Sequence, residues 1–309
     1  MASQQYIKSR LKAVKNIGQI TKAMEVVAAT KMRKAQEVAL NSRPYGYAVL
    51  DLLHKLSHGA VGDSPLATAR PIDTTLIVVI ASDRGLAGAF NSQVFRAADK
   101  FFMNDVQEYP GHRYIFCTVG KKAHTYATRK GSANVKEFSG FGDYVNVEQN
   151  KPLAEFIKTG FLNDSWDRVV VASMHFRTTL KQDSIVRQLL PIDLTAIEQT
   201  LSEVIPEHGR FAGAEHTDAH DDTSDEYIIE PSPQVVFDML MPHLVTMQLY
   251  QLILEANASE HSARRVAMKT ASDNASELGH SLQLEYNKAR QVGITNEIIE
   301  ITSTMNTLT

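Results

Sequence analysis

The stretch from about Gln234 to Thr309 sets most of what this chain can become. Beyond Pro242 it holds no proline, and only Gly279 and Gly293 interrupt a run of good helix formers. A window this long with so few breakers predicts one continuous helix. At 1.5 Å per residue that helix would be on the order of 100 Å long, more than a small domain can cover. It therefore needs a partner along its length.

The apolar spacing points to what kind of partner. Met268, Ala271, Ala275, Leu278, Leu282, Glu285, Ala289 and Val292 recur at alternating steps of three and four, a heptad seam in which most residues are small. Residues 2 to about 57 predict a second helix. Its seam is Ile7, Leu11, Val14, Gly18, Thr21, Glu25, Ala28, Met32, Ala35 and Ala39, again rich in small residues. Helices of this kind at opposite ends of a chain suggest an antiparallel coiled coil with everything else inserted between them. An ordinary long bundle helix is the plainer alternative.

The middle has a different texture. Ser57 to Pro71 is a link bearing glycine and proline. Continuous β-branched or apolar runs at Thr75–Ala81, Arg113–Val119 and Arg168–Met174 predict strands buried on both faces. Shorter ones are expected at Val135–Phe138 and Ser184–Ile192, with helices at Asn91–Asp105, Gly120–Lys130 and Val147–Gly160. Strands alternating with helices imply a mostly parallel, covered sheet. The expected fold class is α/β: a Rossmann-like domain at 72–205 inserted into a long antiparallel coiled coil. The coil would come from an N-terminal helix at 1–57 and a C-terminal helix at 232–309, with an acidic loop and linker at 206–231. Ser232 and Pro233 read as the cap and first turn of the last helix. Pro242 is expected to kink it.

The chain has 309 residues, 43% of them hydrophobic, and a formal net charge of −3. That balance gives no overall pull toward nucleic acid, although Lys8 to Lys34 is locally basic. No aromatic platform accompanies that charge, which disfavours nucleic acid and leaves a solvated face or a surface for acidic protein groups. The single cysteine, Cys117, lies in an apolar run and reads as a buried hydrophobe. No stretch approaches 18 consecutive apolar residues, and the amino end lacks the apolar core of a secretory leader. The expectation is a soluble chain, or one docked to a membrane through partners.

Candidate chemistry is sparse. No GxGxxG or GxxxxGK[ST] phosphate loop is present. After the first expected strand come Ser82, Asp83, Arg84, Gly85 and Leu86, then Gly88 and Asn91. Two readings stay open there. The glycines and a helix start suit an anion at the sheet's carboxyl edge. Equally, Asp83 and Arg84 suit capping, packing or docking at a tight strand-to-helix turn. His208, His216 and His220 lie near Asp218, Asp221 and Asp222, but in a polar acidic loop of the kind that carries histidines without a metal. No cofactor and no metal is expected.

Three stretches in order carry a family resemblance. IGQITKAMEVVAATKMRKAQ (17–36) resembles the first helix of the γ subunit of F-type ATP synthases. Ser82 to Leu86 with Gly88 and Asn91 resembles that family's central motif. ARRVAMK (263–269), Asp273, Asn274, YNKARQ (286–291) and ITNEIIEI (294–301) resemble its terminal helix. The resemblance covers essentially the whole chain. Ala87 stands where the family often has cysteine, and Thr304 with Met305 where Gly-Ala is usual. The chloroplast form's regulatory cysteine pair has no counterpart here.

The resemblance implies a rotor shaft that is not itself an enzyme. Its partners would be three α and three β subunits, an ε subunit and a membrane ring of c subunits. It would be a peripheral protein on the cytoplasmic side of a bacterial membrane. By resemblance, partner contacts fall on Lys22, Met24, Lys31, Arg33, Lys34, Asp83, Arg84, Arg264, Gln291, Asn296 and Glu297. The alternative is an independent α/β nucleotide- or anion-binding enzyme with helical dimerisation arms.

Overall fold

The computed structural model describes residues 2–57, 64–131, 136–142, 145–193 and 230–307. The loop expected at 206–225, with its histidines, lies outside the described residues, as do the side chains of Thr304 and Met305. By internal contacts the chain forms two compact units, 1–29 with 264–309, and 30–263.

In the first unit the ends of α1 (Ala2–Ser57) and α5 (Pro233–Thr307) pair. A Cβ on Gly18 would lie 3.5 Å from that of Ala275, one on Gly279 3.9 Å from Val14, and one on Gly293 4.0 Å from Gln4. Lys15 Nζ donates to Gln283 Oε1 at 3.4 Å. Partners on α5 descend as positions on α1 ascend, so the pairing is antiparallel. The seam of α1 is as expected: Leu11, Thr21 and Ala28 are buried, and Ile7, Val14, Gly18 and Glu25 half-buried.

The seam of α5 departs from expectation at three places. Leu278, Glu285 and Val292 are exposed; Gly279 is buried, and Tyr286 and Gly293 half-buried instead. Each is one residue, or about 100°, further round the helix. The two glycines look like breakers in sequence, yet they serve as the flat spots where the opposite helix comes close.

The second unit is built on a five-stranded sheet. Its strands are β1 (Thr74–Ile80), β2 (Arg113–Val119), β3 (Lys136–Phe138), β4 (Arg168–Phe176) and β5 (Gln182–Leu190), ordered β3-β2-β1-β4-β5. β1 is parallel to β2 and β4, and β2 to β3, whereas β5 returns antiparallel along β4. All nine residues of β4 are buried, so both faces of the sheet are covered at that strand, while the edge strands β3 and β5 are partly open. The helices are α2 (Phe90–Glu108), α3 (Lys121–Arg129) and α4 (Val147–Leu162). α4 opens with a capping box between Asn146 and Gln149.

α5 begins at Pro233, with Ser232 Oγ accepting from Val235 N at 3.4 Å, and it continues through Pro242. From Gln248 to Ser262 every residue of it is buried. Glu255 there meets His175 of β4 at 2.7 Å, a pair 80 residues apart with side chains only 4% and 3% exposed.

Candidate partner-binding surfaces

The basic N-terminal stretch is partly neutralised from within. Lys22 Nζ meets Glu25 Oε2 at 2.9 Å, with side chains 63% and 13% exposed. That hydrogen bond holds the Glu25 carboxyl below its ordinary range, helped by the charges of Lys22, Lys269 and Arg265. Met24 is half-buried, and Arg264 is buried at 9% exposure. Gln291, Asn296 and Glu297 are exposed on α5. In the second unit Lys31 is half-buried, while Arg33 and Lys34 are exposed and Lys34 lies 3.6 Å from Glu37. Such exposed pairs hold their charges loosely.

A feature the sequence reading passed over is apolar. Ile17, Ile20, Val26 and Val27 on α1 are all more than half exposed, as are Leu284, Ile298, Ile299 and Ile301 on α5. Attention to the seam alone hides them; the signal is branched apolar residues recurring off the seam. Large apolar side chains are thus left open on both paired helices.

The loop from Ser82 to Asn91 is closed on itself. Ser82 N donates to Asn91 Oδ1 at 3.0 Å, Asn91 Nδ2 donates to Ser82 Oγ at 2.8 Å, and that hydroxyl donates to the Arg84 carbonyl at 2.7 Å. Leu86 and Gly88 adopt left-handed backbone, at φ 65° and 56°. Asp83 has both oxygens engaged: Oδ1 accepts from Lys121 N and Oδ2 from Gly140 N, each at 3.1 Å. The negative group at the start of α3 is thus the chain's own carboxylate, whereas the start of α2, after Ala89, carries no side-chain cap. The Arg84 side chain is exposed. Among the described residues no three His, Cys, Asp or Glu side chains are grouped to hold a metal ion, and no helix is long and apolar enough to cross a membrane.

The family described as ATP synthase matches residues 3–308. The ATP synthase gamma chain of Roseiflexus castenholzii is 39% identical over 306 residues, covering 98% of this chain and 97% of that one. The gamma chain of Herpetosiphon aurantiacus is 38% identical, with 97% of each chain covered.

This chain belongs to the ATP synthase gamma-chain family.

Solved assemblies share its fold. A chain of the Euglena gracilis mitochondrial ATP synthase, in a structure of OSCP, F1 and c-ring, superposes with a TM-score of 0.63 at 19% identity, covering 99% of this chain and 95% of that one. One from the central stalk and c-ring of the Tetrahymena thermophila enzyme gives 0.58 at 23%, covering 82% and 99%. The gamma-family motif stretches now have places: 17–36 lies on α1, 82–91 joins β1 to α2, and 263–301 lies on α5.

Proposed function

We propose that this chain is the central rotor shaft of an F-type ATP synthase. It would couple ion flow through a membrane sector to ATP synthesis or hydrolysis at β subunits. The observation that carries the reading is the antiparallel pairing of the two chain ends through small seam residues, with branched apolar side chains left open around it. The paired ends turn inside a ring of three α and three β subunits, and the foot with the α/β domain serves ε and the c-ring. Lys22, Met24, Lys31, Arg33 and Lys34 lie toward the β subunits, and Arg264, Gln291, Asn296 and Glu297 toward the ring.

The shaft forms no chemical bond in this role. Its outer surface differs around its axis, so each β subunit meets a different face and is biased to a different nucleotide affinity. Basic groups held in weak exposed pairs slide past acidic partner groups without locking. The chain works from the cytoplasmic side of the membrane, held there by its partners.

Affinity purification of the tagged chain with mass measurement of the intact complex tests this. The expected result is one copy with three α and three β subunits, and no nucleotide binding by the chain alone. Stoichiometric ATP on the isolated chain, with no α or β subunits recovered, would instead favour the independent enzyme.

A further inference from the structure

Three of the polar side chains buried along α5 are spent on one short segment. Tyr250, Asn257 and His261 are 5%, 6% and 2% exposed. Tyr250 Oη donates to the Val145 carbonyl at 3.0 Å, Asn257 Nδ2 to that of Phe141 at 2.7 Å, and His261 Nε2 to that of Gly142 at 3.0 Å. From α4, Asn150 Nδ2 donates to the Thr246 carbonyl at 2.8 Å. Positions 246, 250, 257 and 261 step by four and seven and so share one helix face.

The other side of the same segment is held by Asp83. Oδ2 accepts from Gly140 N, and a Cβ on Gly142 would lie 3.6 Å from that oxygen. Oδ1 accepts from Lys121 N at the start of α3. The order of contact runs from the loop after β1, through Gly140 to Gly142, to Asn257 and His261 of α5.

We propose that Asp83 is a positioning residue that sets how the sheet grips the rotor helix. The segment it holds carries two glycines and is pliable without it. Two backbone N–H groups arriving at two oxygens need a carboxylate; an amide of the same shape offers one acceptor and turns its NH2 toward the other donor. This joint is one of the links between the sheet and α5, beside the His175–Glu255 pair and the shared apolar core, and loosening it lets the helix lag the sheet. This rests on the rotor reading.

The test is Asp83→Asn in the assembled, membrane-embedded complex, reading ATP-driven ion uptake into sealed vesicles per ATP hydrolysed, together with amide exchange at Gly140 and Gly142. The ratio is expected to fall about twofold or more while exchange at both amides quickens. Asp83→Glu, which keeps two acceptors, restores much of the ratio. Asn257→Leu, which frees the far side of the segment, lowers the ratio too, and the double variant is no worse than the more damaging single one. An unchanged ratio with faster exchange overturns the proposal, as do additive losses. Unchanged exchange with partner subunits lost makes Asp83 a partner contact and overturns it as well. If the unmutated complex moves no ions on ATP hydrolysis, it is the rotor reading that fails.

Discussion

Gly18 on α1 faces Ala275 on α5 so closely that a Cβ on the glycine would sit 3.5 Å from the alanine's. That distance is ordinary van der Waals contact, so one methyl fits, while a bulkier side chain aimed at the partner helix would press on it. Gly18→Ala is expected to raise the stability of the helical pair by up to about 1 kcal/mol, through helix propensity. Gly18→Leu is expected to cost about 1–3 kcal/mol by forcing the helices apart. Thermal melting followed by helical circular dichroism separates the two, and equal effects would place the close approach elsewhere.

Gly120 has no such tolerance. Its φ is 95°, and an added Cβ would lie 2.0 Å from the Ala81 carbonyl oxygen. Both the backbone angle and the neighbouring backbone reject a side chain. Gly120→Ala is expected to destabilise the sheet unit by about 3 kcal/mol or more, measured by denaturant unfolding.

What was legible in the sequence follows from how local each signal is. The seam of α1 could be read in full because Leu11, Thr21 and Ala28 advertise their own period. β1 and β4 could be read because strands covered on both faces carry near-continuous apolar runs, here LIVVI and VVVA. The seam of α5 slipped at three positions because a glycine contributes to packing by what it lacks, and apolar counting is blind to that. The antiparallel return of β5 is set by a short hairpin, in which Thr178 N donates to the Lys181 carbonyl at 2.9 Å. An apolar run carries no direction. Of the partner surface, the basic residues were legible from composition and resemblance. A capping role for Asp83 was legible as one of two readings, but the groups it holds were not, because its donors lie 38 and 57 residues away.

Cys117 is fully buried on β2, and burial pushes its thiol up to about 12 from an ordinary 9.0, with Lys136 opposing slightly. The folded thiol stays neutral where an unfolded one ionises. The unfolded state therefore gains as pH rises from 9 toward 12, and stability falls across that window. At pH 8 a thiol reagent should label the native chain about a thousandfold or more slower than the denatured chain, because reaction waits on opening. Comparable rates would mean that β2 is open.

Arg168 at the start of β4 meets Asp105 near the end of α2, with side chains 10% and 6% exposed. Arg168 also donates to Thr75 Oγ1 at 3.1 Å, and Tyr114 Oη donates to Asp105 Oδ2 at 2.8 Å. Burial, then that bond to Asp105, pushes the Tyr114 phenol up to about 12. Removing one charge strands the other in an apolar setting. Asp105→Leu is expected to cost about 3–5 kcal/mol by denaturant unfolding, and the double change Asp105→Leu with Arg168→Met much less. A double variant as damaged as the single one would show that packing, not charge, governs this corner.

Glu25 is an acid placed in a packing seam, and its pair with Lys22 gives the helical pair a pH response of known sign. The carboxyl is held below its ordinary 4.5, first by the Lys22 hydrogen bond. Its contribution is therefore present above 4.5 and is lost as pH falls through the lower folded value. Glu25→Gln should flatten that acid loss, measured as thermal midpoint against pH at low salt. High salt should bring the variant and the parent together, because Lys22 is open to solvent. The same change releases Lys22 from its internal partner. If Lys22 meets acidic groups of a β subunit, Glu25→Gln tightens that contact, and turnover should become more sensitive to salt. A variant whose melting curve and salt response both follow the parent's would leave the pair without energetic weight.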